Sequence, residues 1–323
     1  MAISRPKLIS LVQQVGLKRS GLVVDCLFPQ VQTPCFFEYI DWTGSRSLAA
    51  IDDAASCNSD IKIVSPDSFN YVQKKVEDHA LQVAMTDCCV TSCSQSDAEV
   101  ASQLAKAKTI STSNRLLINR EQLAIKLATD VTKYVDNTTK KPGDAGAVNE
   151  GGLYNLSLTT VQDANAKLLN WFLPIQEGNG FSGPRNVAIM DRYSLNLLKT
   201  HPSFIGYGCV APGITTDDVV AANLGVSKIC VADAPFDNGL GSTVNFTTPW
   251  PKGTILFVSS YELLSSSEQQ VSFGISAYNK GWRTTSYMAD EKGQDAGVEM
   301  QKIAHDLTPV VLSYKAATMV KIA

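Results

Sequence analysis

Long hydrophobic runs are missing from this chain. No segment reaches the roughly 18 apolar residues a helix needs to cross a bilayer, although 44% of the residues are hydrophobic. The apolar residues are dispersed, so folding must bury them. At 323 residues the chain can do so as one large domain or two moderate ones. Basic clusters are missing too. Lys74–Lys75 and Lys140–Lys141 are doublets only, and the formal net charge is −3 with a pI near 5.7. That balance argues against a dedicated nucleic-acid binder, which carries a clustered basic face. Each doublet reads as a solvated face. The N-terminus has Arg5 and Lys7, but Ser10, Gln13, Gln14 and Lys18 interrupt its apolar residues. It makes a poor secretory signal, so an unexported cytoplasmic product is expected.

Catalytic and metal-binding patterns are equally scarce. The three histidines, His79, His201 and His305, are scattered. Eight cysteines stand at 26, 35, 57, 88, 89, 93, 209 and 230, and their one cluster is Cys88, Cys89 and Cys93. Zinc sites pair C-x-x-C units with a second ligand pair, which is absent here. Reduced, mostly buried thiols are therefore expected, with no stoichiometric metal and no obligatory disulfide. The Gly-rich stretch KPGDAGAVNEGG at 141–152 lacks the Gly-Lys-Ser/Thr ending of a phosphate loop. The run from Gly180 to Gly183 is not Gly-x-Ser-x-Gly, and it precedes its strand, so it is no nucleophile elbow. No His-Glu-x-x-His occurs. The acid pairs Asp52–Asp53 and Asp217–Asp218 are sequence neighbours that do not share a helix face, and they read as solvated helix starts or loops. The chain is expected to be no enzyme and to hold no cofactor.

What is present is an ordered series of helix and strand signals. Residues 1–35 carry Gly16, Gly21, Pro29 and Pro34 and read as an extended arm with one short helix. Residues 36–78 suit a long two-stranded loop with Phe36, Phe37, Tyr39 and Trp42 at its base. Its polar tip at 45–59 has Arg46 as its one base. An isolated hairpin of that length is marginal in water and needs something to lie on. Its aromatics rest either on a neighbouring subunit or in a local mini-core. The neighbour is favoured, because exposed apolar patches mark contact surfaces.

A helix is predicted over 112–135, capped by Thr112 or Ser113. Leu116, Leu123, Leu127, Val131 and Tyr134 recur on one stripe around a polar Arg120. A shorter helix is predicted at 97–108, and Pro142, Gly143 and Gly146 break the chain afterwards. Residues 153–252 read as an α/β unit. It has a helix over 161–173 started by the Thr160/Asp163 box and ended by Pro174, the strand NVAIM at 186–190, a helix at 193–199, and the strand KICVA at 228–232. The last seventy or so residues hold strand-rich runs: GTILFVSS at 253–260, VSFGISAY at 271–278, and further runs from Trp282 to Ile322. Trp171, Trp250 and Trp282 are expected in cores.

The order of these segments, from about Phe36 to Ile322, resembles the major capsid proteins of tailed bacteriophages. The segment HALQVAMTD at 79–87 is similar to that family's recurrent strand after the extended loop. His201-Pro202 and Leu224-Gly225-Val226 match further landmarks. The resemblance implies an α+β, Hong Kong 97-like capsid fold. In it, 1–35 is an N-terminal arm, 36–78 the E-loop, 79–150 with 253–323 a peripheral domain carrying the spine helix, and 151–252 an axial domain. The implied function is self-assembly, as hexamers and pentamers, into the icosahedral shell of a virion assembled in the host cytoplasm. The shell encloses packaged double-stranded DNA by confinement. The implied partners are further copies of the chain, a separate scaffolding protein, a portal and, optionally, a decoration protein, with no membrane. The candidate interface residues are Phe36, Phe37, Tyr39, Trp42 and Arg46. The arm and E-loop are expected to be ordered only against neighbours. One alternative within the fold is an encapsulin-type cellular compartment. The alternative from another class is a thiol- or metal-dependent enzyme using Cys88, Cys89 and Cys93, a cluster foreign to the family pattern.

Overall fold

The computed structural model describes residues 22–41, 70–84, 95–156, 171–175, 185–201, 216–237, 246–260, 272–289 and 298–322. The strand Thr254–Val258 (β11) is buried along its whole length, as a central strand covered on both faces should be. Its neighbours explain why. Antiparallel β7 (Val187–Met190) lies on one side and antiparallel β16 (Ala317–Ile322) on the other. Beyond β7 runs parallel β8 (Lys228–Val231). Beyond β16 run β6 (Gly152–Leu156) and β5 (Val135–Asp136), each parallel to its neighbour. The sheet order is β5-β6-β16-β11-β7-β8.

Alternate residues of β11 enter different cores. Ile255 and Phe257 join Ala188, Met190, Leu195, Leu198, Val220 and Leu224. Leu256 and Val258 join Val23, Leu27, Ala124, Ala128 and Met319. Full burial of each such side chain stabilises the fold by about 1.5–3 kcal/mol. Between β7 and β8 the described helices are α3 (Arg192–Thr200) and α4 (Asp217–Leu224). Asp191 caps α3 by accepting from the Ser194 amide, and Thr216 caps α4 by accepting from the Val219 amide. Gly225 ends α4 at φ +66°, a left-handed conformation suited to glycine. Asp217 and Asp218 lie in the first turn of α4, exposed and complementing the helix dipole.

The expected boundary at 252/253 does not follow the sheets. β11 and β16, assigned with the peripheral segments, complete the sheet begun by β6, β7 and β8. Their apolar runs need two covered faces, and in this sheet their residues enter cores on both.

The long helix α2 spans Gln95–Ala128, 34 residues, about 51 Å at 1.5 Å per residue. The predicted helices at 97–108 and 112–135 are therefore one helix, and it ends at Ala128. Thr112 and Ser113 sit inside it as ordinary helical residues. Their hydroxyls donate to the carbonyls of Lys108 and Thr109, which removes their usual competition with the helix backbone. The buried stripe runs through Thr109, Ser113, Leu116, Leu117, Arg120, Glu121, Ala124, Ile125 and Ala128. Leu123, expected on the stripe, is 41% exposed, and Arg120, the polar residue the stripe was read around, is buried. Leu127 is half-buried against the core. Val131 lies in a separate 3-10 turn (Val131–Lys133) and is exposed, while Tyr134 is buried.

Two three-stranded sheets adjoin α2. In one, β4 (His79–Ala84) pairs with β14 (Val298–His305), which pairs with β13 (Arg283–Ala289), all antiparallel. Leu116 of α2 packs there on Ile303, Leu81 and Trp282. In the other, β12 (Gly274–Tyr278) lies between antiparallel β15 (Thr308–Val311) and parallel β1 (Gln30–Gln32). The two-stranded E-loop base pairs β2 (Phe36–Asp41) with β3 (Asn70–Lys75), as expected of a hairpin. Trp250 is buried, and Trp171 and Trp282 are half-buried against cores. The helix expected at 161–173 falls mostly outside the described residues; its end at 171–175 is helical and includes Pro174.

Candidate functional site

In an extended strand, successive side chains take opposite faces, so Phe36 and Phe37 cannot point the same way. Phe37 is buried in its own chain, with Val76, Ile275, Ala277, Val310 and Leu312. Tyr39 is partly buried in the same cluster, and the two rings lie 6.1 Å apart. These two aromatics form the local mini-core, contrary to the expectation that the whole group rests on a neighbour. The reason is the sheet β1–β12–β15, whose apolar face the β2–β3 pair covers.

Phe36 takes the other face and is 71% exposed. The Lys75 ammonium lies 5.7 Å above its ring, and the register pairs these two residues. Tyr71, paired with Ile40, is 69% exposed. Glu38, two residues from Phe36, accepts a hydrogen bond from Gln73. The result is an outward face of two large aromatics in a polar, charged surround. Trp42 and Arg46 lie outside the described residues.

Beside the hairpin base is a cleft of about 570 Å³, lined by Cys35, Lys75, Glu77, His79, Lys280 and Arg283 among others. Its charges are largely committed to structure. Arg283 pairs with Asp78. The Asp306 carboxylate accepts from the amides of Lys280 and Gly281, both at 2.7 Å, and so holds the turn between β12 and β13. His79 stacks on His305 at 5.2 Å, and Trp282 lies 4.9 Å from His305. Burial, the neighbouring His79 and Arg120 depress the His305 pKa to about 3, so its imidazole is neutral. The arrangement supports contact and positioning. Among the described residues no three His, Cys, Asp or Glu side chains gather to hold a metal. Cys88, Cys89 and Cys93 lie outside the described residues.

The arm meets the rest of the subunit through residues that sequence reasoning missed. The short helix α1 (Val24–Leu27) begins where the Glu121 carboxylate accepts from the amides of Val23 (2.7 Å) and Val24 (2.9 Å). Burial pushes the Glu121 pKa up to about 7, against the lowering effect of those bonds and of Arg120. Arg120 donates to Asp25 at 2.7 Å and to Ser276 at 3.3 Å. Val23, Val24, Leu27 and Phe28 are all fully buried. The Cβ of any residue other than glycine at position 274 would fall 2.5 Å from the Phe28 ring. The second half of the arm thus belongs to the subunit's own core, correcting the expectation that it is ordered only by neighbours. Pro29 does not prevent this, because its carbonyl still accepts from the Ser276 amide. The thiol expectation also needs correction: Cys26 and Cys230 form a disulfide, while Cys35 is free and exposed. The signal available in the sequence was the i, i+3/i+4 series 109, 113, 116, 120, 124, which places Arg120 on the buried stripe.

No family model matches the chain, and no curated protein matches it in sequence. Solved structures do resemble it over essentially its whole length. A phage-related protein from Bordetella bronchiseptica RB50 has a TM-score of 0.62 at 14% identity, covering 99% of this chain and 98% of that one. A protein assigned as the capsid protein of a prophage in Escherichia coli CFT073 has a TM-score of 0.54 at 12% identity, covering 100% of both chains. The virus-like particle protein from Pyrococcus furiosus has a TM-score of 0.51 at 9% identity, covering 98% of this chain and 99% of that one. At such identities the likeness is one of fold. The fold is α+β and Hong Kong 97-like, as the order of segments predicted.

Proposed function

We propose that this chain is the major capsid protein of a tailed phage. Copies of it assemble as hexamers and pentamers into an icosahedral shell around packaged double-stranded DNA. The observation that carries this reading is the full-length likeness in fold to the prophage capsid protein and the virus-like particle protein, with essentially no unmatched remainder in either chain. A shell requires each subunit to make several heterologous contacts that close into rings. The outward aromatics Phe36 and Tyr71 on the E-loop base offer one such surface, since apolar patches in polar surroundings mark contacts. Trp42 and Arg46 are further contact residues in this reading. The net charge of −3 suits a wall that confines DNA without gripping its phosphates. A separate scaffold, a portal and an optional decoration protein are the further partners, and assembly takes place in the host cytoplasm.

The likeness to a virus-like particle supports a second reading, a compartment that encloses protein. One preparation tests both. The full chain is expressed with the scaffolding gene beside it, sedimented, and imaged by negative stain. Closed particles of uniform diameter are expected, with nuclease-protected double-stranded DNA in particles from infected or induced cells. Particles filled with a protein cargo would favour the compartment. A monodisperse monomer under every salt and scaffold condition would sink both readings.

A further inference from the structure

The helix α1 is already held in place without covalent help. Glu121 accepts both of its first free amides, Arg120 reaches Asp25, and Val24 and Leu27 are fully buried. Just past the helix, Phe28 packs against Phe273 at 5.6 Å between centroids. These contacts run to α2, to the segment around β12 and, through the core that Val23 and Leu27 share with Leu256 and Val258, to a face of the six-stranded sheet. Position 26 therefore arrives beside position 230 whatever the state of the two sulfurs. What the sulfur bridge adds is a tie to β8, the edge strand of the six-stranded sheet, across 204 residues of sequence.

The two cysteines differ in access. Cys230 is 6% exposed, whereas Cys26 is only half-buried, at the margin of the core. This asymmetry is what an ordered thiol–disulfide exchange requires, one sulfur taking the external reagent and the other resolving it. We propose that Cys26 and Cys230 form a redox latch. The chain folds with both thiols reduced, and later oxidation pins the N-terminal segment to the edge of the six-stranded sheet.

With a small-molecule disulfide such as glutathione disulfide as oxidant, the step balances. The Cys26 thiol loses its proton, and its thiolate attacks one sulfur of the oxidant, expelling one glutathione thiolate. The Cys230 thiol loses its proton and attacks the Cys26 sulfur of the mixed disulfide, expelling the second. Two protein S–H bonds and the oxidant's S–S bond break, and one protein S–S bond forms. Two electrons pass to glutathione, which takes up the two protons. Reduced, α1 is held to the sheet by packing alone and can part from the edge strand β8 in local opening. Oxidised, it cannot part from β8. The latch does not depend on the shell reading.

The test uses the full chain, purified under reductant and divided. One portion stays reduced and the other is treated with glutathione disulfide. Peptide mapping should find Cys26 joined to Cys230 in the treated portion, and the reduced portion should be folded, with the same melting cooperativity. Amide exchange over residues 24–33 should slow at least tenfold on oxidation in the parent and in Cys35→Ser. It should be unchanged by oxidant in Cys26→Ser and Cys230→Ser. The proposal is overturned if mapping pairs Cys26 with any other cysteine, if the reduced parent is unfolded, or if the exchange difference is absent in the parent or survives in Cys26→Ser. The first arm needs no variant, so a misfolded substitution would not decide the outcome.

Discussion

Replacing Glu121 by glutamine should change how stability depends on pH. In the folded chain Glu121 is 1% exposed, and burial raises its pKa from 4.5 to about 7. An unfolded chain releases the proton near 4.5. Between the two values the folded state holds a proton that the unfolded state lacks, so acid favours folding there. The contribution is fully present below pH 4.5 and is lost as pH rises through 7. The gap corresponds to about 3 kcal/mol. Glutamine is neutral throughout and keeps a carbonyl acceptor for one of the amides of Val23 and Val24, losing the other acceptor equally at every pH. The quantity to measure is parent stability minus variant stability, because other titrating groups cancel in that difference. It should fall by about 3 kcal/mol between pH 4.5 and pH 8, or about 6 °C in relative Tm at about 2 °C per kcal/mol. Urea midpoints and thermal melts of the unassembled subunit at three pH values would show it. Parallel parent and variant curves would mean that Glu121 is solvated, and that α1 is not seated on it.

His305 should act with the opposite sign. Its pKa falls from 6.5 to about 3, so its contribution is full above pH 6.5 and is lost as pH drops through 3; His305→Gln should remove about 3 kcal/mol of the acid-side loss between pH 7 and pH 4, read as a smaller drop in Tm over that range. On α2, Leu116→Ala should cost about 2–5 kcal/mol and the exposed Leu123→Ala within about 0.5 kcal/mol, a contrast that urea unfolding would reverse if the helix were rotated. At the hairpin, Phe37→Ala should cost the subunit about 3–5 kcal/mol. Phe36→Ala should leave the subunit's Tm unchanged while reducing particle yield in sedimentation, and equal effects of the two on Tm would deny that they face opposite ways.

Much of the fold was legible because strand signals are local. The runs at 186–190, 228–232 and 253–260 are short, apolar and β-branched, and the corresponding strands β7, β8 and β11 lie within a residue or two of them. The joining of these runs into one sheet was not legible. Pairing β11 with β7 and β16 depends on contacts between residues 59 or more positions apart, which no periodicity reports. The helix α2 was misread for a different reason. Its stripe is built from Thr109, Ser113, Arg120 and Glu121 as much as from leucines, and an apolar count passes over polar residues that are buried because they are bonded. The Cys26–Cys230 pair was hidden likewise, since cysteine spacing signals a site only when the partners are near in sequence.

The candidate surface shows the same division at the scale of two residues. Four aromatics near the hairpin base were counted together, and a count has no direction. The strand period of two gives one. It sends Phe37 and Tyr39 onto the β1–β12–β15 sheet and leaves Phe36 outside with Tyr71. Those two roles depend on each other. A hairpin exposed on both faces would be marginal on its own and could not hold a contact surface in a fixed orientation. Phe37 and Tyr39 seat its base on the subunit, so Phe36 and Tyr71 are presented by a rigid element. Ordering then costs less entropy when a partner binds. In the proposed shell, a segment that reaches another subunit yet arrives in one register needs this two-faced construction, one aromatic face spent inward so that the other can act outward.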